Sequence, residues 1–121
     1  MISAKRGEIW LVDLNPTRGQ EIQKTRPIVI ISADLFEPIP MRIAIPITSW
    51  QEKFKDRPFM VRIDASADNG LDRDSAGNIL QIRSLSTDRF VKRLGQVSEE
   101  ILQELLSGLV VCTDYEPKPQ T

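Results

Sequence analysis

The chain contains no histidine and a single cysteine, Cys112. The lack of histidine excludes RNA cleavage by paired imidazoles, histidine-bound zinc and any Ser-His or Cys-His triad. A lone cysteine can form neither a disulfide within the chain nor a thiolate metal site, and it suits a reducing compartment. No apolar run approaches the roughly 20 residues of a membrane helix, and the first residues lack the apolar core of a signal peptide. We therefore expect a cytoplasmic protein that makes no membrane contact.

The residues that are present predict one ordinary globular domain. The chain has 121 residues, of which 40% are hydrophobic and 27% charged, enough to bury a core without disulfides. We assign the domain to residues 1–114. The segment 115–121 contains Pro117 and Pro119 and is predicted to be a flexible tail.

Charge is distributed unevenly along the chain. The net charge of −1 argues against indiscriminate binding to polyanions. Residues 1–62, however, hold ten Lys and Arg against seven Asp and Glu, whereas residues 63–121 hold six against ten. A local basic groove on an acidic body is compatible with nucleic-acid binding.

Short apolar runs rich in β-branched residues, bounded by turn formers, predict about six strands. The strands are Glu8–Asp13, Pro27–Ile31, Arg42–Ile47, Phe59–Ile63, Asn78–Leu85 and Val91–Val97. Ser32 is expected to cap a helical turn after the second strand, and Asn69-Gly70 and Gly77-Asn78 are expected to make turns.

A terminal helix is expected after the last strand. Ser98 is a candidate N-cap, Glu99 and Glu100 suit the first turn, and leucines and an isoleucine follow at helical spacing. The sequence thus predicts a mostly β fold with a C-terminal helix, in which a strongly bent, mostly antiparallel sheet is formed.

The chain is organised around the long loop that joins the first two predicted strands. This loop carries the cations Arg18, Lys24 and Arg26 and the carboxylate of Glu21, and it is longer than a simple turn requires. It is either a solvated surface loop or a binding and catalytic site placed on rigid strands. A second polar loop, residues 50–58, adds two aromatics and three cations.

Four segments, in order along the chain, resemble the MazF/PemK family of toxin endoribonucleases. They are Arg6–Pro16 with Gly19-Gln20-Glu21, Thr25–Ile31, Ile45–Ser49, and Asn69–Ser75 running into Ile79–Arg83. The resemblance implies a small SH3-like β-barrel. It also implies a toxin that cuts single-stranded RNA, mainly messenger, at a short sequence. The 2′-hydroxyl would attack without metal and leave a 2′,3′-cyclic phosphate and a 5′-hydroxyl.

The same resemblance implies how the protein assembles. No cofactor and no metal are expected. The protein is expected to be a homodimer with its site along the dimer interface. A cognate MazE-like antitoxin would thread an acidic, extended segment into that groove, and DNA would be contacted only indirectly, through the antitoxin.

The family match makes Arg26 and Thr48 the expected catalytic residues, with Glu21 as a third candidate. Arg26 presents a planar fork suited to phosphate. Because the pKa of arginine lies above about 12, we assign it charge stabilisation before proton transfer. The Thr48 hydroxyl would donate to a phosphate oxygen, although spacing alone makes it only a β-former. Glu21 would accept the 2′-proton or, as readily, serve as a structural partner of Arg26.

Further residues are expected to contact RNA by attracting phosphates, by hydrogen bonding or by stacking on bases. They are Arg18, Lys24, Thr25, Ser49, Trp50, Lys53, Phe54, Lys55, Arg57, Gln81 and Arg83. The alternative for each is an exposed loop side chain without a ligand. The RNA sequence that is recognised does not transfer from the family.

Two other functions stay open on the sequence alone. The related CcdB-type toxins share the scaffold but poison DNA gyrase, and fold does not decide function. A gyrase binder would need binding residues in the terminal helix, where the sequence has mainly core leucines and glutamates. A third possibility is a member that has lost activity and acts only in DNA-bound autoregulation. The set of Glu21, Arg26 and Thr48 favours the nuclease.

Overall fold

A computed structural model of the chain describes residues 2–14 and 25–119. They form seven strands and one helix: β1 (Glu8–Asp13), β2 (Thr25–Ile30), β3 (Met41–Ser49), β4 (Met60–Ile63), β5 (Ser75–Asn78), β6 (Arg83–Ser86), β7 (Phe90–Gln96) and α1 (Glu99–Thr113). Short 3-10 turns occupy Asp34–Phe36, Glu52–Phe54, Ile79–Gln81 and Thr87–Arg89. The predicted mostly β fold with a C-terminal helix is confirmed. The central loop between β1 and β2 lies outside the described residues.

The strands form one antiparallel sheet in the order β4-β5-β3-β2-β1-β7, and β6 pairs with β3 beside β5. The sheet bends but does not close among the described strands, so the barrel is open between β4 and β7. The segment 64–74 covers this opening, where the Gln96 N–H donates to the Asp68 carbonyl at 2.9 Å. A Cβ at Gly95 would lie 2.2 Å from that carbonyl oxygen. Only glycine therefore lets the segment pack this closely.

Pro46 lies where β3 changes partner. On one side β3 pairs with β6 over Met41–Ala44 and with β5 over Ile47–Ser49. The Ile31 N–H donates to Ile43 O, and alternation along the β2–β3 ladder then turns the nitrogen of Pro46 away from β2. The missing N–H of the proline thus falls in the gap between β6 and β5, where it costs no ladder hydrogen bond.

Each face of the central strands is buried in its own cluster. One face packs Ile9, Val29, Ile45 and Ile47 against the helix residues Leu102 and Leu105. The opposite face is covered by a second cluster and carries the following residues: Trp10, Val12, Ile28, Ile30, Ala44, Leu85 and Phe90. This explains why β1 and β2 are apolar on both sides, as strands between two layers are.

The helix begins at the predicted cap. The Ser98 hydroxyl accepts a hydrogen bond from the Ile101 N–H at 3.2 Å, and Glu99 and Glu100 occupy the first turn. We expect Ser98→Ala to lower the free energy of unfolding by about 1 kcal/mol, because one N–H at the helix start loses its acceptor. Thermal unfolding should then shift down by about 3–5 °C.

Ser107→Ala is the matched control for this prediction. Ser107 is exposed in the middle of α1, where alanine favours a helix more than serine does. An equal loss of stability in both variants would contradict the assignment of Ser98 as the cap.

The predicted fifth strand, Asn78–Leu85, is wrong. The structure divides it into the end of β5, the 3-10 turn Ile79–Gln81 and β6. The division follows from β3, because β5 and β6 pair with it in different registers and the chain has to step from one register to the other. Ile79 stays in the core, 1% exposed, so the apolar run gives no sign of the break. The sheet therefore has seven strands where the sequence predicted about six.

Two local predictions are also wrong. The Ser32 hydroxyl caps no turn; it accepts a hydrogen bond from the Ile43 N–H at 3.1 Å, and the Asp34–Phe36 turn has no side-chain cap. Gly77-Asn78 belongs to β5, and Gly77 is there because a Cβ would lie 2.9 Å from Leu105. The Asn69-Gly70 turn is confirmed by the positive φ of Gly70, +69°. No helix in the described part of the chain is long and apolar enough to span a membrane.

Candidate active site

Arg26 and Thr48 lie on neighbouring strands in matching positions. β2 and β3 pair Ile28 with Pro46 and Val29 with Ile45, and continuing this register sets Arg26 opposite Thr48. Residues directly opposite each other point to the same face of a sheet. Both residues belong to strands, since β2 begins at Thr25 and β3 continues to Ser49. The predicted strands had left Arg26 and Thr48 just outside.

Pro27 lies where the β2–β3 pairing stops. The same alternation that orients Pro46 aims the nitrogen of Pro27 at Ile47 across the β2–β3 ladder. Pro27 has no N–H to donate. The β2–β3 pairing accordingly includes Ile28, the residue after Pro27, but not Pro27 itself. The strands are thus free to part beside Arg26 and Thr48.

Cavities are present on both sides of the Arg26–Thr48 pair. The first, which we call the Asn78 cavity, has a volume of about 400 Å³. It is lined by Leu14, Arg26, Pro46, Ile47, Thr48, Phe54, Arg57, Phe59, Met60, Asn78 and Gln81. The second, the Ser75 cavity, has about 380 Å³ and is lined by Thr25, Arg26, Pro27, Ile47, Thr48, Ser49, Leu71, Asp72, Arg73 and Ser75. Arg26 and Thr48 line both.

The register of four strands explains which side chains meet here. β3 pairs Thr48 with Ala76 on β5, and β5 pairs Asn78 with Met60 on β4. Ala76 is small and therefore leaves space beside Thr48 on this face of the sheet. Met60 and Phe54 pack against Ala76 and form an apolar wall of the cavity. The Asn78 cavity thus combines apolar walls with amides and two guanidinium groups.

Arg26 is exposed and Thr48 is half-buried. A guanidinium and a hydroxyl that line the same cavity can bind a phosphate together, because the guanidinium can donate two parallel hydrogen bonds and the hydroxyl a third. Arg57 brings a second cation to the same cavity, with its guanidinium carbon 5.8 Å from the centre of the Phe54 ring. This cation–π contact holds Arg57 at the rim.

The structure brings several of the predicted RNA-binding residues to the two cavities. Thr25 and Ser49 line the Ser75 cavity, and Phe54 and Gln81 line the Asn78 cavity. Lys53 is near the same place, with its ammonium 5.9 Å from the Phe54 ring centre. Lys55 and Arg83 are exposed but line neither cavity.

Neither aromatic side chain of the second polar loop projects freely. Phe54 is 7% exposed and packs with Met60 and Ala76. Trp50 lies edge-on to Phe54, with ring centres 5.9 Å apart, and Arg62 stacks on it at 4.8 Å. A hydrogen bond from Arg62 to Asp64 raises the pKa of that guanidinium. Stacking of RNA bases on Trp50 and Phe54 stays a prediction.

Three predicted residues, Arg18, Glu21 and Lys24, lie outside the described residues. Sequence reasoning missed others that the structure places at the site: Asn78, Phe59, Met60, Asp72 and Arg73. The sequence places Asn78 both in a predicted turn and at the start of the predicted strand Asn78–Leu85, and neither assignment marks it as a site residue.

The chain shares sequence with known endoribonucleases. Residues 5–112 match the model of the PemK-like, MazF-like toxin of type II toxin–antitoxin systems. Endoribonuclease MazF9 of Mycobacterium tuberculosis is 36% identical over 116 residues, which cover 91% of this chain and 96% of that protein. Endoribonuclease PemK of Escherichia coli is 33% identical over 108 residues, 87% of this chain and 78% of that protein.

Solved structures agree in fold. A crystal structure of MazE-MazF from Deinococcus radiodurans superimposes with a TM-score of 0.80 at 21% identity, covering 96% of this chain and all of that one (100%). MazF alone from the same organism gives a TM-score of 0.74 at 20% identity, over 95% and 100% of the two chains. At this identity the likeness establishes the fold.

Proposed function

This chain belongs to the PemK-like, MazF-like family of type II toxin–antitoxin toxins, and from this we propose that the Arg26–Thr48 groove is where it cleaves RNA. The chain is an endoribonuclease, as its curated relatives are named. The observation that carries the site is that Arg26 and Thr48 line the same two cavities. The substrate we propose is single-stranded RNA, cut at a short sequence.

The proposed chemistry uses the nucleophile that RNA itself carries. The 2′-oxygen attacks the neighbouring phosphorus, a new 2′-O–P bond forms, and the bond from phosphorus to the 5′-oxygen breaks. Arg26 and Thr48 donate hydrogen bonds to the non-bridging oxygens, whose negative charge grows in the transition state. Glu21 is the proposed acceptor of the 2′-proton, and the leaving 5′-oxygen takes a proton from solvent. The products are a 2′,3′-cyclic phosphate and a 5′-hydroxyl, and we propose that no metal is needed.

A long RNA incubated with the purified protein in EDTA tests this function. We expect cuts at a short, repeated sequence, with new 5′ ends that a polynucleotide kinase labels directly because they bear a hydroxyl. Cuts that need magnesium, or 5′-phosphate ends, would contradict the mechanism. If the RNA stays intact, the chain would be better explained as a gyrase-binding toxin or as an inactive member that acts only in autoregulation.

We also propose a MazE-like antitoxin as the partner that neutralises the toxin. The supporting observation is that MazF of Deinococcus radiodurans crystallises with MazE. In this chain, Arg26 and Arg57 give the Asn78 cavity positive charge, which would attract an acidic segment. A cytoplasmic location and indirect contact with DNA remain proposals of the same kind.

A homodimer is the further assembly that we propose, through an apolar face formed by Leu35, Phe36, Ile39, Met41 and Ile43. Their side chains are exposed by 80%, 50%, 52%, 41% and 46%. Large apolar side chains exposed together are typical of a contact surface. The apolar face begins at the Asp34–Phe36 turn and continues on the first half of β3.

Phe36→Glu is expected to shift the protein from dimer to monomer, because a carboxylate would lose its hydration in the interface. The dimer dissociation constant should rise by at least about thirtyfold, measured by sedimentation at micromolar concentration. Val111→Glu is the control, since Val111 is 63% exposed and belongs to α1, which contributes no residue to the apolar face. A Phe36→Glu protein that stays dimeric would locate the interface elsewhere.

A further inference from the structure

Arg42 is a cation that the fold buries. It is 5% exposed, belongs to the start of β3, and lines neither the Asn78 cavity nor the Ser75 cavity. Arginine is rarely buried, because its charge loses hydration, and it is tolerated inside a protein only where hydrogen bonds compensate for that loss. A cation in this place does not attract RNA to the proposed site, so it needs another explanation.

The guanidinium of Arg42 is bonded to the backbone that carries the apolar face. Its Nη1 donates to the carbonyls of Ile39 and Met41 at 2.6 and 2.9 Å. Its Nη2 donates to the carbonyl of Glu37 at 3.2 Å. Ile39 and Met41 present their own side chains on the apolar face, and Glu37 directly follows Phe36. One buried cation thus holds three carbonyls under the apolar face.

The stretch 37–41 needs such support because of its composition and its place in the fold. Pro38 and Pro40 lack an N–H. The stretch follows the Asp34–Phe36 turn, and the ladder between β3 and β6 begins only at its last residue, Met41. Strand pairing therefore does not fix most of this backbone, and the hydrogen bonds from Arg42 contribute to fixing it instead.

The first residues of the chain are attached to the same region. Arg42 Nε donates to the Ala4 carbonyl at 3.0 Å, and Ala4 is 1% exposed. The Lys5 ammonium forms an ion pair with Glu37, whose other carboxylate oxygen accepts a hydrogen bond from the Ser3 hydroxyl at 3.1 Å. Arg42 thus joins the N-terminal segment to the backbone under the apolar face.

These contacts also favour a second copy of this chain as the occupant of the apolar face. In a two-fold dimer each patch meets itself, so unpaired charges of one sign would repel their own copies. Two carboxylates beside the apolar face are engaged within the chain. Glu37 pairs with Lys5, and Asp34 accepts a hydrogen bond from the Arg6 N–H at 2.8 Å. The apolar face can therefore meet its own copy.

We propose that Arg42 is a positioning residue that shapes the apolar face for contact with a second copy of the chain. This inference rests on the homodimer proposed above. The guanidinium holds the backbone of Ile39 and Met41 before the two copies meet, so association does not have to order it. Residue 42 lies on the same face of β3 as Ala44, which packs in an apolar cluster. An apolar side chain would therefore serve the core, and the hydrogen bonds to the carbonyls explain the arginine.

Arg42→Met tests this role through the dimer dissociation constant of the full chain, measured by sedimentation. The constant should rise by at least about tenfold, because the loosened stretch has to be ordered again on association. The fold should persist, since the hydrogen bonds to residues 37, 39 and 41 are only part-buried and water can replace the guanidinium. Arg42→Lys keeps the charge but loses the planar fork, so its dissociation constant should lie between those of wild type and Arg42→Met.

Two control variants separate positioning from general stability. Ile63→Val trims a core side chain on β4 that is 1% exposed. It should lower the melting temperature but leave the dissociation constant within about threefold of wild type. Arg93→Met changes an exposed arginine on β7 that pairs with Glu8, and its dissociation constant should match wild type.

The outcomes separate this inference from the proposed homodimer. An unchanged dissociation constant in Arg42→Met would overturn the role of Arg42 and leave the homodimer intact. An equal rise in Ile63→Val would overturn it too, because lost stability alone would then explain the effect. If Arg42→Met does not fold, Arg42→Lys decides, and loss of the fold in both variants would make Arg42 a residue of the core instead of the contact surface. A monomeric wild type would contradict the proposed homodimer and, with it, this inference.

Discussion

Arg26→Ala is expected to slow RNA cleavage in EDTA by at least about a thousandfold. In the transition state the two non-bridging oxygens gain negative charge, and Arg26 is the cationic residue that lines both cavities. Removing one well-placed donor of this kind typically costs a factor of about 100 to 1,000, and here the positive charge is lost as well. The measurement is the single-turnover rate on an end-labelled oligonucleotide that contains the mapped cleavage site.

Two further variants define what Arg26 contributes. Arg26→Lys keeps the charge but loses the planar fork, so its rate should lie between those of wild type and Arg26→Ala. Lys92→Ala removes an exposed cation from β7 and should cleave at the wild-type rate. Because Arg26 is exposed, the melting temperature of Arg26→Ala should stay close to that of wild type. Full activity in Arg26→Ala would contradict the proposed role of Arg26 in stabilising the transition state.

Thr48→Val is expected to slow the same reaction by about 100- to 1,000-fold. Valine has nearly the same shape as threonine and the same preference for a strand, and the pairing of residue 48 with Ala76 needs only the backbone. The variant therefore loses a hydroxyl and little else. The effect should appear in kcat, because the hydrogen bond to the phosphate strengthens only as charge develops.

Thr48→Ser is the informative companion to Thr48→Val. It restores a hydroxyl at the same place with one methyl fewer, and we expect its rate to return to within about tenfold of wild type. If serine and valine were equally impaired, the methyl group of Thr48 would matter more than its hydroxyl. Thr48 would then be a packing residue at the edge of the groove.

The strands and their faces were largely predictable from the sequence, because apolar periodicity reports burial directly. The predicted bounds of β1 agree with the structure in full, and Ser98 caps α1 as expected. The break between β5 and β6 was not predictable, since Ile79 is as apolar and as buried inside the turn as a strand residue would be. Its cause is the change of partner along β3, which only the pairing of distant strands reveals.

The sequence named Arg26 and Thr48 as candidate site residues, but it did not predict most of the residues that line the cavities around them. Resemblance to a family named Arg26 and Thr48, and the register of β2 and β3 brings them together. The sequence does not predict that Asn78 lines the cavity or that its side-chain oxygen lacks a hydrogen-bond partner, because both features depend on the three-dimensional packing. The sequence also did not show that Phe54 packs with Met60 and Ala76 from a 3-10 turn; its stacking on RNA stays a prediction.

Pro27 has a consequence for how such a protein can be controlled. A strand residue without an N–H cannot complete the ladder to β3, and the β2–β3 pairing stops at Ile28, just short of Arg26. Among the described residues, the Pro27 nitrogen therefore cannot extend this ladder towards Arg26 and Thr48. An extended segment from another chain could use this unpaired end of the ladder to bind beside Arg26.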